Sequence, residues 1–214
     1  MNEVLSAASL SLALSATAVT IAALPAIPLA ARLGLSRSRR RDLFLVAARV
    51  AMSFPTVVVG LVVYGLLSHT GPLGGLGLLY TPQAIVFGEI MLALPLVIAL
   101  GASAVGALDP RFADTTRMLH LGGARTALLA VSEARDGFVA AVLVAFARCV
   151  TELGVALLVG GNLRGSTRTL TTAIALETSR GDFACGLHLG LVLIAIALVV
   201  NAGVALAFRR MERA

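Results

Sequence analysis

Residues 107–136 read "ALDPRFADTTRMLHLGGARTALLAVSEARD". The chain is 58% hydrophobic and only 13% charged, so thirty consecutive polar-leaning positions must be explained by where they sit. Apolar runs long enough to cross a bilayer lie on both sides of them. A mean hydropathy of +0.96 over 214 residues is more apolar surface than a soluble domain of this size can bury. Lipid is therefore part of the solvent, and the chain reads as an all-α integral membrane protein.

Working outward from the polar stretch, hydropathy marks five spans, at about 4–31, 43–68, 83–108, 137–160 and 184–208. The first is uncharged and is followed by Arg32, Arg37, Arg39, Arg40 and Arg41, whereas Glu3 precedes it. This is the reverse of a cleaved signal peptide, which carries its positive charge first. All seventeen basic residues are arginine, and twelve of them fall in 32–42, 109–136 and 209–214. The positive-inside rule puts those three segments in the cytoplasm, the N-terminus outside and the C-terminus inside. The formal charge of +6 is thereby accounted for by membrane orientation, and no aromatic-interleaved basic patch points to nucleic acid. Residues 1–214 form a single transmembrane domain without an internal repeat.

The polar stretch itself patterns as two short helices. Asp109-Pro110 starts the first, with an acid to cap and a proline whose fixed φ suits the opening turn. Phe112, Thr116, Met118, Leu119 and Leu121 give it a less polar side, and Gly122-Gly123 is expected to end it. The second carries Ala127, Leu128 and Val131 on its apolar side. Too short and too polar to cross, the pair lies on the cytoplasmic face as a solvated connector or as a docking element for a cytosolic partner.

Several groups within the spans carry polarity that lipid does not favour. Arg148 and Glu152 stand at i and i+4 in the fourth span and are expected to share a helical face, with Thr151 beside them. They read either as an ion pair that orients helices or as the lining of an anion path. Glu89 in the third span is a second candidate partner for Arg148. After Gly160-Gly161, the segment from Asn162 through Arg168 to Thr172 offers hydroxyls, backbone N–H groups and a guanidinium as an outer mouth. Cys149 and Cys185, with scattered His69, His120 and His188, match no metal-site spacing. With no lysine, the chain has no phosphate-binding lysine loop, and no hydrolase or metalloprotease motif is present, so neither a metal nor a catalytic residue is assigned.

The polar stretch resembles the cytoplasmic loop of ABC-importer permeases, whose pattern places EAA three residues before a glycine. Gly122 aligns with that glycine, and Thr116, Arg117 and Met118 stand at the EAA positions. More of the chain is covered by "SFPTVVVGLVVYGLLSHTGPLGGLGLLYTP" (53–82) and "ELGVALLVGGNLRGSTRTLTTAIALETSRGDF" (152–183). These look like the corresponding segments of tungstate permeases, with molybdate permeases somewhat further away. The resemblance implies a five-helix ABC importer permease (MetI-like) architecture in a bacterial or archaeal cytoplasmic membrane. It implies a homodimer with an ABC ATPase subunit that holds ATP and magnesium, and an extracytoplasmic substrate-binding protein. Asp114, Thr116, Arg117, Gly122, Gly123 and Arg125 would meet the ATPase, while Glu89, Arg148, Thr151, Glu152, Asn162, Arg168 and Thr172 would line the path. A molybdate or sulfate permease, or an ion-coupled transporter using Glu89 and Glu152, are the alternatives.

Overall fold

The computed structural model describes the backbone of residues 2–211 and the side chains of residues 3–203. The side chains of Arg209 and Arg210, and the whole of Arg213, lie outside the described residues. Ten α-helices follow one another: α1 Asn2–Leu35, α2 Arg39–Met52, α3 Thr56–Leu67, α4 Pro82–Gly106, α5 Pro110–Met118, α6 Gly123–Glu133, α7 Arg135–Val150, α8 Gly154–Gly160, α9 Leu170–Ser179 and α10 Phe183–Met211.

Three stretches are long and apolar enough to cross a bilayer singly: Glu3–Leu35, Pro82–Gly106 and Phe183–Gly203. The expected spans at 43–68 and 137–160 are not single helices. Each is a bent pair, α2 with α3 at 99° and α7 with α8 at 57°, and counted as one crossing each they bring the number to five. Pro55 explains the first break. It disfavours the helical region for the preceding residue and cannot supply the next N–H, so Ser53–Pro55 separates two helices and Pro55 stands just ahead of α3. The second break has no proline. Thr151 turns its hydroxyl back to the carbonyls of Ala147 and Arg148, at 3.1 and 3.2 Å. Glu152 then takes up the start of α8, its Oε1 accepting from the Val155 N–H at 3.2 Å.

The core is stacked in three levels that fix the directions of the helices. Leu14, Val63, Leu67, Ala84, Ile85, Val155, Ala156 and Val159 pack at one end. Val19, Ala22, Ala26, Ala93, Leu96, Val97, Ala145 and Cys149 fill the middle. Ala30, Ala31, Leu45, Ala102, Val105, Ala127, Ala130 and Phe138 close the other end. Along α1 and α4 residue numbers rise through these levels together, and along α7 and α8 they fall. α1 and α4 thus run in parallel, and α7–α8 returns antiparallel beside them, the alternation that the arginine distribution requires. Alanine dominates the α1–α4 seam because apolar side chains gain nothing by leaving lipid for protein. Close backbone approach and dispersion must hold such helices together.

The two breaks touch each other. A Cβ added at Gly154 would stand 2.8 Å from the Val57 backbone nitrogen and 3.0 Å from both the carbonyl carbon and Oγ1 of Thr56. Backbone atoms cannot swing aside as a side-chain end can. Gly154→Val should therefore destabilise the protein by about 1–3 kcal/mol, read as a lower melting temperature in detergent; a variant that melts with the parent would show that the contact yields freely.

Candidate functional site

The break in the fourth crossing gathers buried Glu89, Glu152, Thr171 and Ser15. Arg148 lies in the last turn of α7, where the carbonyl-rich helix end favours a cation, and Glu152 lies just ahead of α8, where free N–H groups favour an anion. The interruption gives Glu152 a backbone partner, the Val155 N–H, that an unbroken helix would not. The Arg148 Nη1 is 3.7 Å from Glu152 Oε2, with the arginine side chain 47% exposed and the glutamate 1%. The pair therefore joins two helices across a turn instead of sharing one helical face as the i, i+4 spacing suggested. Thr151, exposed, has its hydroxyl committed to α7.

Neighbouring elements close around this turn. Thr171 Oγ1 donates to the Glu152 carbonyl at 2.8 Å. Buried Glu89 on α4 accepts from Ser15 Oγ of α1 at 3.3 Å, and the Cys149 thiol donates to the Glu89 carbonyl at 3.8 Å. The other Glu89 oxygen, Oε2, has no hydrogen-bond partner. No ion pair joins Glu89 to Arg148 among the described residues. Thr171→Val would strand a buried carbonyl, costing about 1–3 kcal/mol. Thermal unfolding in detergent reads this, and an unchanged transition would mean that the Thr171 bond adds nothing.

The segment from Asn162 to Thr172 is a compact loop folded on itself. Gly161 and Asn162 take left-handed φ of +67° and +52° and turn the chain at the end of α8. Thr167 Oγ1 donates to the Gly160 carbonyl at 2.5 Å and accepts the Leu163 N–H at 2.9 Å. Thr169 and Thr172 form a reciprocal capping box at the start of α9, and Ser11 of α1 accepts the Leu170 N–H at 2.9 Å. Thr167, Thr169, Thr171 and Thr172 are all buried, so the hydroxyls of this segment hold the loop together. Arg168 is steadied by its Nε donating to Asn162 Oδ1 at 3.2 Å. Beside it opens a cleft of about 410 Å³ between the loop and the start of α1, lined by Arg164, Arg168, Ser6, Ser9 and Ser166. Glu3 pairs with Arg164 at its rim.

At the opposite end stand α5 and α6. Asp109 caps α5 by accepting the Arg111 N–H at 2.8 Å, and Pro110 follows it. The double glycine does not end the helix: α5 stops at Met118, and His120 makes the turn with φ +49°. Gly122, with φ −64°, is instead the residue preceding α6. Thr116 faces inward, whereas Met118 and Leu119 are 80% and 62% exposed. Asp114 and Arg117 form an exposed pair at 3.6 Å, and Gly123 and Arg125 lie in the exposed first turn of α6. On α6, Ala127 and Ala130 face the bundle, while Leu128, assigned to the apolar side from the sequence, points away.

Sequence reasoning missed Ser11, Ser15 and Thr171, and named Cys149 only as a thiol outside any metal-site spacing. The two serines lie four residues apart and so share a face of α1, a signal that a hydropathy average erases. Glu177, Asp182 and Cys185 gather where α9 meets α10, with their ligand-type atoms within 4.8 Å of one another. Arg180 pairs with Glu177, and Asp182 accepts the Cys185 N–H.

No family model matches the chain. It is 39% identical to a probable anion ABC transporter permease protein of Haloferax volcanii over 94% of its own length and 89% of the relative's. A tungstate uptake system permease protein, TupB, of Peptoclostridium acidaminophilum is 38% identical over 90% of this chain and 85% of that one. The TupB of Campylobacter jejuni is 45% identical over 71% of this chain but only 63% of its own length, so the match spans less than two thirds of that relative. A solved amino acid ABC transporter structure superposes with a TM-score of 0.69 over 98% of this chain and 94% of that one, at 19% identity. Broken helical crossings, a short helix pair at one end of the bundle and near full-length similarity agree: the chain belongs to the tungstate-type family of ABC importer permeases, membrane-spanning transporter subunits that are not enzymes.

Proposed function

We propose that this chain is the membrane-spanning half of an ATP-driven importer that carries tungstate across the cytoplasmic (inner) membrane of a bacterial or archaeal cell. The observation that carries the reading is the 38% identity to a tungstate uptake permease over 90% of the chain. Two copies enclose the path, each bound to an ABC ATPase that holds ATP and magnesium, and an extracytoplasmic binding protein delivers the anion. The cleft with Arg164 and Arg168 suits the receiving side. Arg148, half exposed at the broken crossing, gives a divalent oxyanion a cation on the way through. Exposed Met118 and Leu119 suit insertion into the ATPase, whose closure rocks the helices between outward-open and inward-open states.

The test is uptake into vesicles containing the permease, its ATPase and the binding protein, comparing tungstate with molybdate and sulfate. ATP-dependent accumulation of tungstate, favoured over both, supports the reading, and accumulation without ATP contradicts it. A second reading has one observation behind it. The unpartnered oxygen of buried Glu89 suits a proton site in an ion-coupled carrier, which predicts uptake that collapses with the proton gradient and persists without ATPase.

A further inference from the structure

A groove of about 260 Å³ runs between the inner half of α1 and the outer side of α6, lined by Ile27, Pro28, Arg32, Ala124, Ala127, Leu128 and Val131. Every lining side chain but one is apolar. The exception is Arg32, exposed in the last turn of α1, with no acid within ion-pair distance among the described residues. Ile27 lies deeper along α1, because α1 runs toward the cytoplasmic side with rising number, so the charge stands at the cytoplasmic end and the apolar floor extends from it toward the membrane interior. Ala124 belongs to the first turn of α6, which has no side-chain cap, so unsatisfied N–H groups add their positive end to the side of α6 nearest Arg32.

Leu128 is 71% exposed and Leu129 is also exposed. Two large aliphatic side chains on the outer face of a short cytoplasmic helix, whose buried side is already taken by Ala127 and Ala130, lose contact with any apolar medium unless that face rests on the bilayer. Together, an apolar trough that begins within the membrane, a lone cation at its water end and a leucine-bearing lip match one class of ligand. An acyl chain fits the trough, and a phosphate fits the cation.

We propose that the α1–α6 groove is a binding site for an anionic phospholipid of the cytoplasmic leaflet, with the acyl chain along Ile27, Pro28, Ala127 and Val131 and the phosphate on Arg32. The site rests on the cytoplasmic placement of α5 and α6 that underlies the proposed function. Because α6 directly follows the helix offered to the ATPase, an occupied groove ties the coupling element to the membrane surface.

The test is native mass spectrometry of the purified permease–ATPase complex, exchanged into detergent containing equal amounts of phosphatidylglycerol and phosphatidylcholine with matched chains. The parent should retain one phosphatidylglycerol per permease chain, with at least roughly a tenfold preference over phosphatidylcholine, about 1.4 kcal/mol. Arg32→Gln, a change at an exposed side chain, should abolish the preference while leaving some lipid bound. Ala124→Phe, which fills the groove, should remove both lipids. Equal retention of the two lipids by the parent, or an undiminished preference in Arg32→Gln, overturns the proposal. So does a Leu128→Cys variant that crosslinks to the ATPase, because that outcome gives the face to the protein partner. Lipid retention is read without transport, so a failure of tungstate uptake leaves this result standing, and a failure of retention leaves the uptake reading standing.

Discussion

Met118→Asp combined with Leu119→Asp is expected to abolish copurification of the ATPase with the permease and to reduce ATP-driven uptake to background. The two side chains are large apolar groups exposed at the end of α5, and nothing among the described residues covers them. If they anchor in a cleft on the ATPase, each contributes as an interface anchor does, on the order of 2 kcal/mol or more, and a buried carboxylate in place of each adds a desolvation cost. A combined loss of about 4 kcal/mol lowers affinity roughly a thousandfold, enough to dissociate the complex during purification. Folding should be unaffected, because Thr116 and Phe112, on the inward side of the same helix, keep their contacts with the bundle. Stable association with normal uptake would place the ATPase contact elsewhere. The exposed pair Asp114–Arg117, at 3.6 Å, makes a useful contrast: surface pairs contribute about 0–1 kcal/mol, so Asp114→Asn alone should weaken assembly only slightly.

Arg148→Ala is expected to have the second large effect, lowering uptake at least about tenfold while the complex still assembles. Two consequences combine. Glu152 is 1% exposed and loses the guanidinium 3.7 Å away, and stripping the counter-charge from a buried carboxylate costs about 3–5 kcal/mol when both partners are buried. Arg148 is half exposed, so water already screens its side of the pair and the stability loss should be nearer about 2 kcal/mol. The transport loss has a separate origin: the dianion loses the cation that Arg148 would offer it on the path, and an uncompensated Glu152 adds repulsion. The double variant Arg148→Ala with Glu152→Gln separates the two. It removes the repulsion along with the cation and should recover stability but not uptake. Full recovery of uptake in the double variant would make the pair a structural strut with no part in conduction.

The long crossings were legible because hydropathy sums over some twenty positions, and errors at single residues cancel. The breaks were not legible for the opposite reason, since each depends on one or two local choices. Pro55 stood in plain view, yet a proline inside a membrane helix produces anything from a slight kink to a right angle, and only packing against α8 selects the 99° turn. At Thr151–Leu153 the signal was an acid two residues before a glycine. It reads as an i, i+4 pair if the helix continues and as a capping group if it stops, and the buried contacts of Thr171 and Cys149 decide for stopping. His120 instead of Gly122 made the left-handed turn after α5, because α5 had already ended at Met118 before the glycines were reached. Glu89, Arg148 and Glu152 were all named from charge alone, but the partner that holds Glu89, Ser15, lay in a segment judged only by its apolar average.

The contact between Gly154 and Thr56 gives the two interrupted crossings a common fulcrum. Inward of it, α7 extends for 16 residues, about 24 Å, and outward α8 extends for 7, about 10 Å. An arm of these lengths, pivoting there with its 57° bend held, delivers at its short end less than half the travel imposed at its long end. In the proposed importer, a generous stroke by the ATPase at the long end would thus become a small, firm movement at the other.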